Sequence, residues 1–223
     1  MALFLRQGKN GYRYNTDSIL LYHFVARRRL NGLLLDVGCG CGVIGLLLAR
    51  DYGVALTGVD IQEDMIAFCK ENSQLNNIEA DFHAADFRLF NSEKKFNTIV
   101  CNPPFYHAST TASANQSLKI ARYANALPID DFLKHSGKLL DSKGDLFFCY
   151  DAAYIYELTH ILRDRKYRLK TLQFVYKNPS ASARLALLHA KKTAISTTTI
   201  LPPIITRDCA KEIAKKADTL CVA

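Results

Sequence analysis

The chain has 223 residues, 49% of them hydrophobic and 22% charged, with a formal net charge of +8. That length supports one sizeable α/β domain and excludes two full ones, and no run approaches the ~18 uninterrupted apolar residues of a membrane helix. The seven cysteines include no Cys-x-x-Cys pair and no His/Cys cluster at zinc spacing, which argues against a disulfide framework or a zinc module.

Cys39, Cys69, Cys101 and Cys149 fall in apolar stretches or among glycines and read as small buried hydrophobes in a reducing setting. Residues 1–7 carry no long apolar leader and no small-residue cleavage site, so the expected location is cytoplasmic. The basic balance favours a polyanionic partner, because neutralised phosphates are the main sequence-independent source of nucleic-acid affinity.

Residues 1–15 are polar and Gly-containing, ending in Gly11-Tyr12-Arg13-Tyr14-Asn15. Thr16, Asp17 and Ser18 can cap an amphipathic helix over 19–29, and an acid in the first turn suits the helix dipole. Arg27, Arg28 and Arg29 close that helix, either as a solvated end or as the start of an RNA-facing patch. Leu33 to Val37 is an apolar strand, followed by Gly38-Cys39-Gly40-Cys41-Gly42 and an apolar helix over 43–50. Glycines there let the backbone turn sharply and approach a ligand at the strand's carboxyl end, where open α/β sheets bind ligands.

Residues 40–45 also match G-x-G-x-x-G, so a nicotinamide dinucleotide is a competing reading. Against it, the turn begins earlier, as Asp36-x-Gly38-x-Gly40-x-Gly42. Asp36 then stands at the strand end, where a carboxylate suits a cationic amino group better than a pyrophosphate. Ala55 to Asp60 is a second strand ending in an acid that can accept both ribose hydroxyls of either cofactor. Ile61 beside it can pack on an adenine face. A helix over 62–75 follows, then a third strand and turn over 82–87. On the residues alone Asp86 there is a solvent-facing turn acid and Phe87 plain core.

Phe96 to Cys101 is a short buried strand running into Asn102-Pro103-Pro104-Phe105. Two prolines forbid helix and sheet continuation, so the chain leaves the strand in a stiff loop with Asn102 at its mouth. An amide and a backbone carbonyl can accept hydrogen bonds from an exocyclic amino group, while a phenyl ring stacks on a flat heterocycle. That combination suits N-methyl transfer. The stretch 106–125 is rich in Ser, Thr, Ala and Asn and carries Lys119, Arg122 and Tyr123, which predicts a substrate-ordered flap. His107 within it reads as a surface residue.

Beyond Pro128 the pattern predicts a helix over 129–140, a strand over 144–150, a helix over 152–166 and a hairpin of strands over 168–176 and 184–190. The region 163–192 is the densest in positive charge, with Asp164 its one acid. Lys177, Arg184, Lys191 and Lys192 are its candidate RNA contacts. Pro202-Pro203 and a polar helix from Arg207 close a single domain, with 1–30 as an N-terminal segment and helix and 31–223 as the core.

Three of these segments carry a family resemblance. Asn102 to Phe105 resembles motif IV (Asn-Pro-Pro-Tyr/Phe) of the amino-methylating, S-adenosylmethionine-dependent methyltransferases, with Phe in place of the more frequent Tyr. Asp36-x-Gly38-x-Gly40-x-Gly42 resembles their motif I. Gly11-Tyr-Arg-Tyr-Asn-Thr-Asp-Ser-Ile-Leu-Leu resembles a Gly-Tyr-Arg-Phe-x-x-Asp-x-x-Leu-Leu segment of the bacterial tRNA adenine-N6 methyltransferase family.

The resemblance spans nearly the whole chain and implies a Rossmann-like class I methyltransferase. Its fold would be a mostly parallel seven-stranded sheet with helices on both faces and a C-terminal antiparallel hairpin. It implies S-adenosyl-L-methionine as cofactor, S-adenosyl-L-homocysteine as product, no metal, and tRNA near the anticodon as substrate. By the resemblance, Asp17 shapes the methionine end of the pocket. Asp36, Gly38, Gly40, Gly42, Asp60 and Ile61 hold the cofactor, and Asp86 and Phe87 its adenine. Asn102 and Pro103 accept the N–H bonds of the target amine, with Pro104 stiffening the loop and Phe105 stacking on the base.

Two relatives share the same four residues: rRNA guanine-N2 methyltransferases, and release-factor glutamine-N5 methyltransferases. The latter typically carry an extra N-terminal helical domain, and the roughly thirty residues that precede the first strand here argue against that reading. A non-enzymatic scaffold that binds cofactor and RNA is the remaining alternative. Retention of the Asn102 amide argues against it.

Overall fold

The computed structural model describes residues 2–7, 14–103, 127–192 and 197–206, and the backbone of 219–222. The elements are β1 (Leu3–Arg6), α1 (Thr16–Val25), β2 (Leu33–Val37), α2 (Val43–Tyr52), β3 (Ala55–Asp60), α3 (Glu63–Leu75), β4 (Ala80–Ala84) and β5 (Phe96–Cys101). After the undescribed stretch come α4 (Ile129–Leu139), β6 (Leu140–Asp151), a 3-10 turn (Ala152–Tyr154), α5 (Ile155–Asp164), β7 (Arg168–Tyr176), β8 (Ala183–Lys191), β9 (Thr199–Ile200), β10 (Ile204–Ile205) and β11 (Thr219–Val222).

Seven long strands lie in the order β4-β3-β2-β5-β6-β8-β7, and β9 and β10 add two residues each along the outer edge of β7. Strands β2 to β6 pair in parallel, while β8 runs antiparallel to both β6 and β7. The sheet is therefore mostly parallel with a C-terminal antiparallel hairpin, as the resemblance implies, extended by two short strands beyond the expected seven. Period-2 alternation divides the core between its faces. Leu34, Val100, Phe147, Cys149, Leu185 and Leu187 pack toward α1 and α2. Leu35, Ile99, Cys101, Leu146, Phe148, Ala186 and Leu188 pack toward α4 and α5. Both faces are covered, which is why these strands read as apolar runs.

Several local expectations are corrected. The N-cap of α1 is Asn15, whose Oδ1 accepts from the backbone N–H of Asp17 (3.0 Å) and Ser18 (3.3 Å), so Thr16, Asp17 and Ser18 are helical first-turn residues. This helix is not amphipathic: Asp17 to Tyr22, Phe24 and Val25 are all buried, and Arg27 to Arg29 lie beyond its end. The predicted helix over 152–166 begins instead with the 3-10 turn, where the Asp151 side chain accepts from Ala153 N–H.

Residues 3–6, read as part of a polar lead-in, form a strand with Leu3 and Leu5 fully buried. It pairs in parallel with β11, and its other edge is clamped by Asn72 of α3 and Asn76 at that helix's C-cap. Phe4 N–H donates to Asn76 Oδ1, Arg6 N–H donates to Asn72 Oδ1, and both amides return a bond to the same residues' carbonyls. Most of the helix expected from Arg207 lies outside the described residues. Among the described residues no helix is long and apolar enough to cross a membrane.

Candidate active site

The strand order reverses between β2 and β5, and the crevice at the carboxyl ends of such strands is where open α/β sheets bind ligands. The loop after β2 enters this crevice with Gly38, Gly40 and Gly42 at φ of +65°, +54° and +85°, the left-handed region that favours glycine. Gly38 and Cys39 both donate their N–H to the Val59 carbonyl, at 2.8 and 3.2 Å, which pins the loop across the end of β3. Behind it the thiols of Cys39 and Cys69 sit 3.6 Å apart, and Cys69 Sγ donates to the Gly40 carbonyl.

Two buried acids lie beneath this loop. Asp60 Oδ2 accepts from Gly40 N–H and Oδ1 from Gln62 N–H, each at 2.9 Å, so the carboxylate ties the Gly loop to the start of α3. Burial raises its pKa, opposed by those N–H donors. Asp36 is only 2% exposed, and its Oδ2 accepts from Gly45 N–H inside α2 at 2.9 Å. Burial, reinforced by Asp60 and opposed by the Gly45 donor, pushes the Asp36 carboxyl up to about 7. Gly45, the last glycine of the dinucleotide-like pattern, is therefore a helical residue on the inner side, away from the crevice.

Ile61 is half exposed beside Asp60, an apolar side chain open to a ring. The Asp86 carboxylate is gripped by Arg88, whose Nε lies 3.0 Å from each oxygen, and it also accepts from Arg88 N–H. Arg88 holds its pKa below the usual carboxylate range. Phe87 is a core residue: its ring packs on Phe132 and, edge-on, on His135, at centroid distances of 5.9 and 5.0 Å.

Val37 pairs with Cys101 in the β2–β5 ladder, so Asn102 leaves β5 level with the start of the Gly loop. Asn102 is half-buried and Pro103 buried. The amide is held at both ends: Nδ2 donates to Ser18 Oγ at 3.0 Å, and Oδ1 accepts from Cys149 Sγ at 2.9 Å. Neither partner is among the candidate site residues legible in the sequence, where Ser18 is a capping residue and Cys149 a small buried hydrophobe. Next to Ser18, Asp17 Oδ1 accepts from Arg184 Nη2 at 2.6 Å. Pro104, Phe105, Tyr106, His107, Lys119, Arg122 and Tyr123 lie outside the described residues.

The positive region divides. Because β8 is antiparallel to β6, with Leu185 opposite Asp151 and Ala190 opposite Leu146, Arg184 lies at the crevice edge and Lys191 at the opposite edge. At ~3.3 Å per residue the separation is roughly 20 Å. Lys191 Nζ binds Asp145 at 3.1 Å, and Lys192 Nζ donates to the Gly137 carbonyl. Lys177, after the end of β7, is exposed at the crevice edge. Arg184 is engaged by Asp17. These four residues do not form one face.

Comparison with known proteins agrees with this geometry. A tRNA1(Val) (adenine(37)-N6)-methyltransferase of Glaesserella parasuis is 33% identical over 156 residues, covering 67% of this chain and 65% of the relative. One of the same description from Flavobacterium psychrophilum is 29% identical over 148 residues, covering 64% and 62%. The match thus spans a little under two thirds of these relatives. Two solved structures share the fold. A predicted O-methyltransferase from Agrobacterium tumefaciens has a TM-score of 0.65 at 16% identity, covering 92% of this chain and 99% of that one. A T. thermophilus 16S rRNA N2-guanine methyltransferase in complex with AdoMet and guanosine has a TM-score of 0.60 at 21% identity, covering 83% and 45%. The methyltransferase small domain description matches residues 15–173, from the cap of α1 into β7, and the chain belongs to that family.

Proposed function

We propose that this protein methylates the exocyclic N6 amino group of an adenine in RNA, using S-adenosyl-L-methionine and releasing S-adenosyl-L-homocysteine. The substrate we infer is tRNA near the anticodon, in keeping with the printed names of the relatives in G. parasuis and F. psychrophilum. The observation that carries the reading is the Asn102 amide, held at both ends at the mouth of the crevice beside the Gly loop.

The residues present fit that cofactor. A side chain on Gly38 would meet no protein atom within 4 Å, so the loop presents bare backbone to the crevice. Asp36 and Asp60 supply buried carboxyl groups beneath it, and Ile61 an apolar surface. Gly38, Gly40, Gly42, Asp36, Asp60 and Ile61 would hold the group, with Asp17, Asp86 and the Phe87 backbone at its two ends. When bound, the cofactor supplies a methyl group already activated on a sulfonium, so the protein's contribution is positioning, which accounts for up to ~7–11 kcal/mol of barrier in well-oriented cases.

An aryl amine is a poor nucleophile because its lone pair is delocalised into the ring. Asn102 Oδ1 and the Pro103 carbonyl accept its two N–H bonds, which draws the nitrogen toward tetrahedral geometry and aims the lone pair. Phe105 stacks on the base, a contact worth ~1–3 kcal/mol by alanine substitution. A base inside a duplex is out of reach, so the target is flipped or in a loop.

The test is incubation with labelled S-adenosylmethionine and total tRNA or rRNA from an unmodified strain, with Asn102→Ala as control. Label in N6-methyladenosine of tRNA, lost in the variant, supports the proposal. Label in N2-methylguanosine replaces the substrate. No labelled RNA, with cofactor still bound, favours the scaffold unless release factor is labelled instead.

A further inference from the structure

We infer that Ser18 and Cys149 are positioning residues that set which way round the Asn102 amide faces its substrate. This rests on the reading above, in which Asn102 Oδ1 accepts from the target amine. An asparagine amide has two nearly isosteric orientations. One presents an acceptor to an incoming amine; the other presents –NH2, which meets the amine donor to donor. Something must separate the two.

Three elements distant in sequence converge to do so. Ser18 comes from the first turn of α1 and is 3% exposed; Cys149 comes from β6 and is fully buried. Asn102 lies between them, its Nδ2 on the Ser18 hydroxyl and its Oδ1 on the Cys149 thiol. A protonated thiol can donate its S–H to the amide oxygen, while its sulfur is only a weak acceptor for an amide N–H, so the thiol favours the oxygen on its side. Burial pushes the Cys149 thiol well up, with Asp17 adding to it and Arg184 opposing, so the group stays protonated and keeps its donor. The serine hydroxyl accepts from the amide nitrogen on the opposite side. Oδ1 has two lone pairs, and the thiol uses one. The other is left for the substrate. The same turn of α1 is anchored to β8 through Asp17 and Arg184, so Ser18 is held by a rigid neighbour.

The experiment measures kcat, the KM for unmodified total tRNA and the Kd for S-adenosylmethionine in Ser18→Ala, Cys149→Val and Cys149→Ser. Losing one of two orienting hydrogen bonds should lower kcat about tenfold in Ser18→Ala and Cys149→Val, with KM and Kd within about twofold. Cys149→Ser restores a donor of similar size but also brings an acceptor that tolerates the flipped amide, so its kcat should fall between that of Cys149→Val and the starting value. Cofactor Kd also reports folding, and if Cys149→Val does not fold, Ser18→Ala decides alone. Unchanged kcat in Ser18→Ala and Cys149→Val, with Asn102→Ala inactive, overturns the inference and leaves the proposed function standing. Equal losses in Cys149→Val and Cys149→Ser overturn the donor role in favour of packing. Full activity in Asn102→Ala overturns the reading on which both depend.

Discussion

The carboxylate of Asp17 and the guanidinium of Arg184 are 167 residues apart in sequence and 2.6 Å apart in space. Asp17 is nearly buried at the start of α1, while Arg184 reaches it from the crevice end of β8 with its side chain 40% exposed. The pair joins the N-terminal helix to the C-terminal hairpin beside the Asn102 amide. Removing the arginine strands a buried acid, whereas Asp17→Asn leaves a half-solvated cation. Arg184→Ala should therefore cost more stability, about 1–2 kcal/mol in urea unfolding, than Asp17→Asn. A double-mutant cycle showing no coupling would remove the pair from the account.

Asp36 gives a pH dependence with a defined sign. Its carboxyl lies at about 7 in the folded chain against ~3.9 unfolded. Between those values the folded state binds the extra proton, so this group's contribution is greatest below about pH 4 and is lost as pH rises through 7. Asp36→Asn should come nearest the parent's unfolding temperature at about pH 4 and exceed it by a margin that grows to a few degrees at pH 8, while binding the cofactor less well. A variant less stable than the parent at pH 8 would contradict this.

Asn72 is fully buried and makes three bonds, accepting from Arg6 N–H and donating to the carbonyls of Arg6 and Cys41. It ties β1 to α3 and to the Gly loop at once. Asn72→Ala should cost about 1–3 kcal/mol, because it orphans the buried Cys41 carbonyl and the part-buried backbone groups of Arg6. Hydrogen exchange should show faster amide exchange at Arg6 ahead of the sheet core. Uniform loss across the sheet would point to global destabilisation instead.

With RNA as the proposed substrate, the division of the basic residues predicts which ones it meets. Lys177→Gln should weaken RNA binding and lower the salt slope by about 1, as expected for one lost phosphate contact. Lys191→Gln, at the far edge and paired with Asp145, should leave the slope unchanged. Equal effects at both positions would mean that the RNA path wraps the whole hairpin.

Local runs were legible where the chain carries its own boundaries. Leu33 to Val37 and Ala55 to Asp60 were found at their observed limits because apolar, β-branched runs end at glycines or an acid. The loop at Asn102 was marked by prolines that admit no regular structure. The cap of α1 was misplaced by one to three residues because Asn15, Thr16, Asp17 and Ser18 all have capping chemistry, and only the helix geometry selects among them.

The sequence by itself determined the strand runs at Leu33 to Val37 and Phe96 to Cys101, the glycine turn and the loop at Asn102, since each depends on residues adjacent in the chain; the parallel sheet followed from the family resemblance. Only the tertiary structure decided that Asp17 is held by Arg184, that Asn102 lies between Ser18 and Cys149, and that Lys191 and Lys192 lie away from the crevice. Strand pairing and register bring those partners together, and a side chain's charge or donor capacity carries no information about what a distant strand will place beside it.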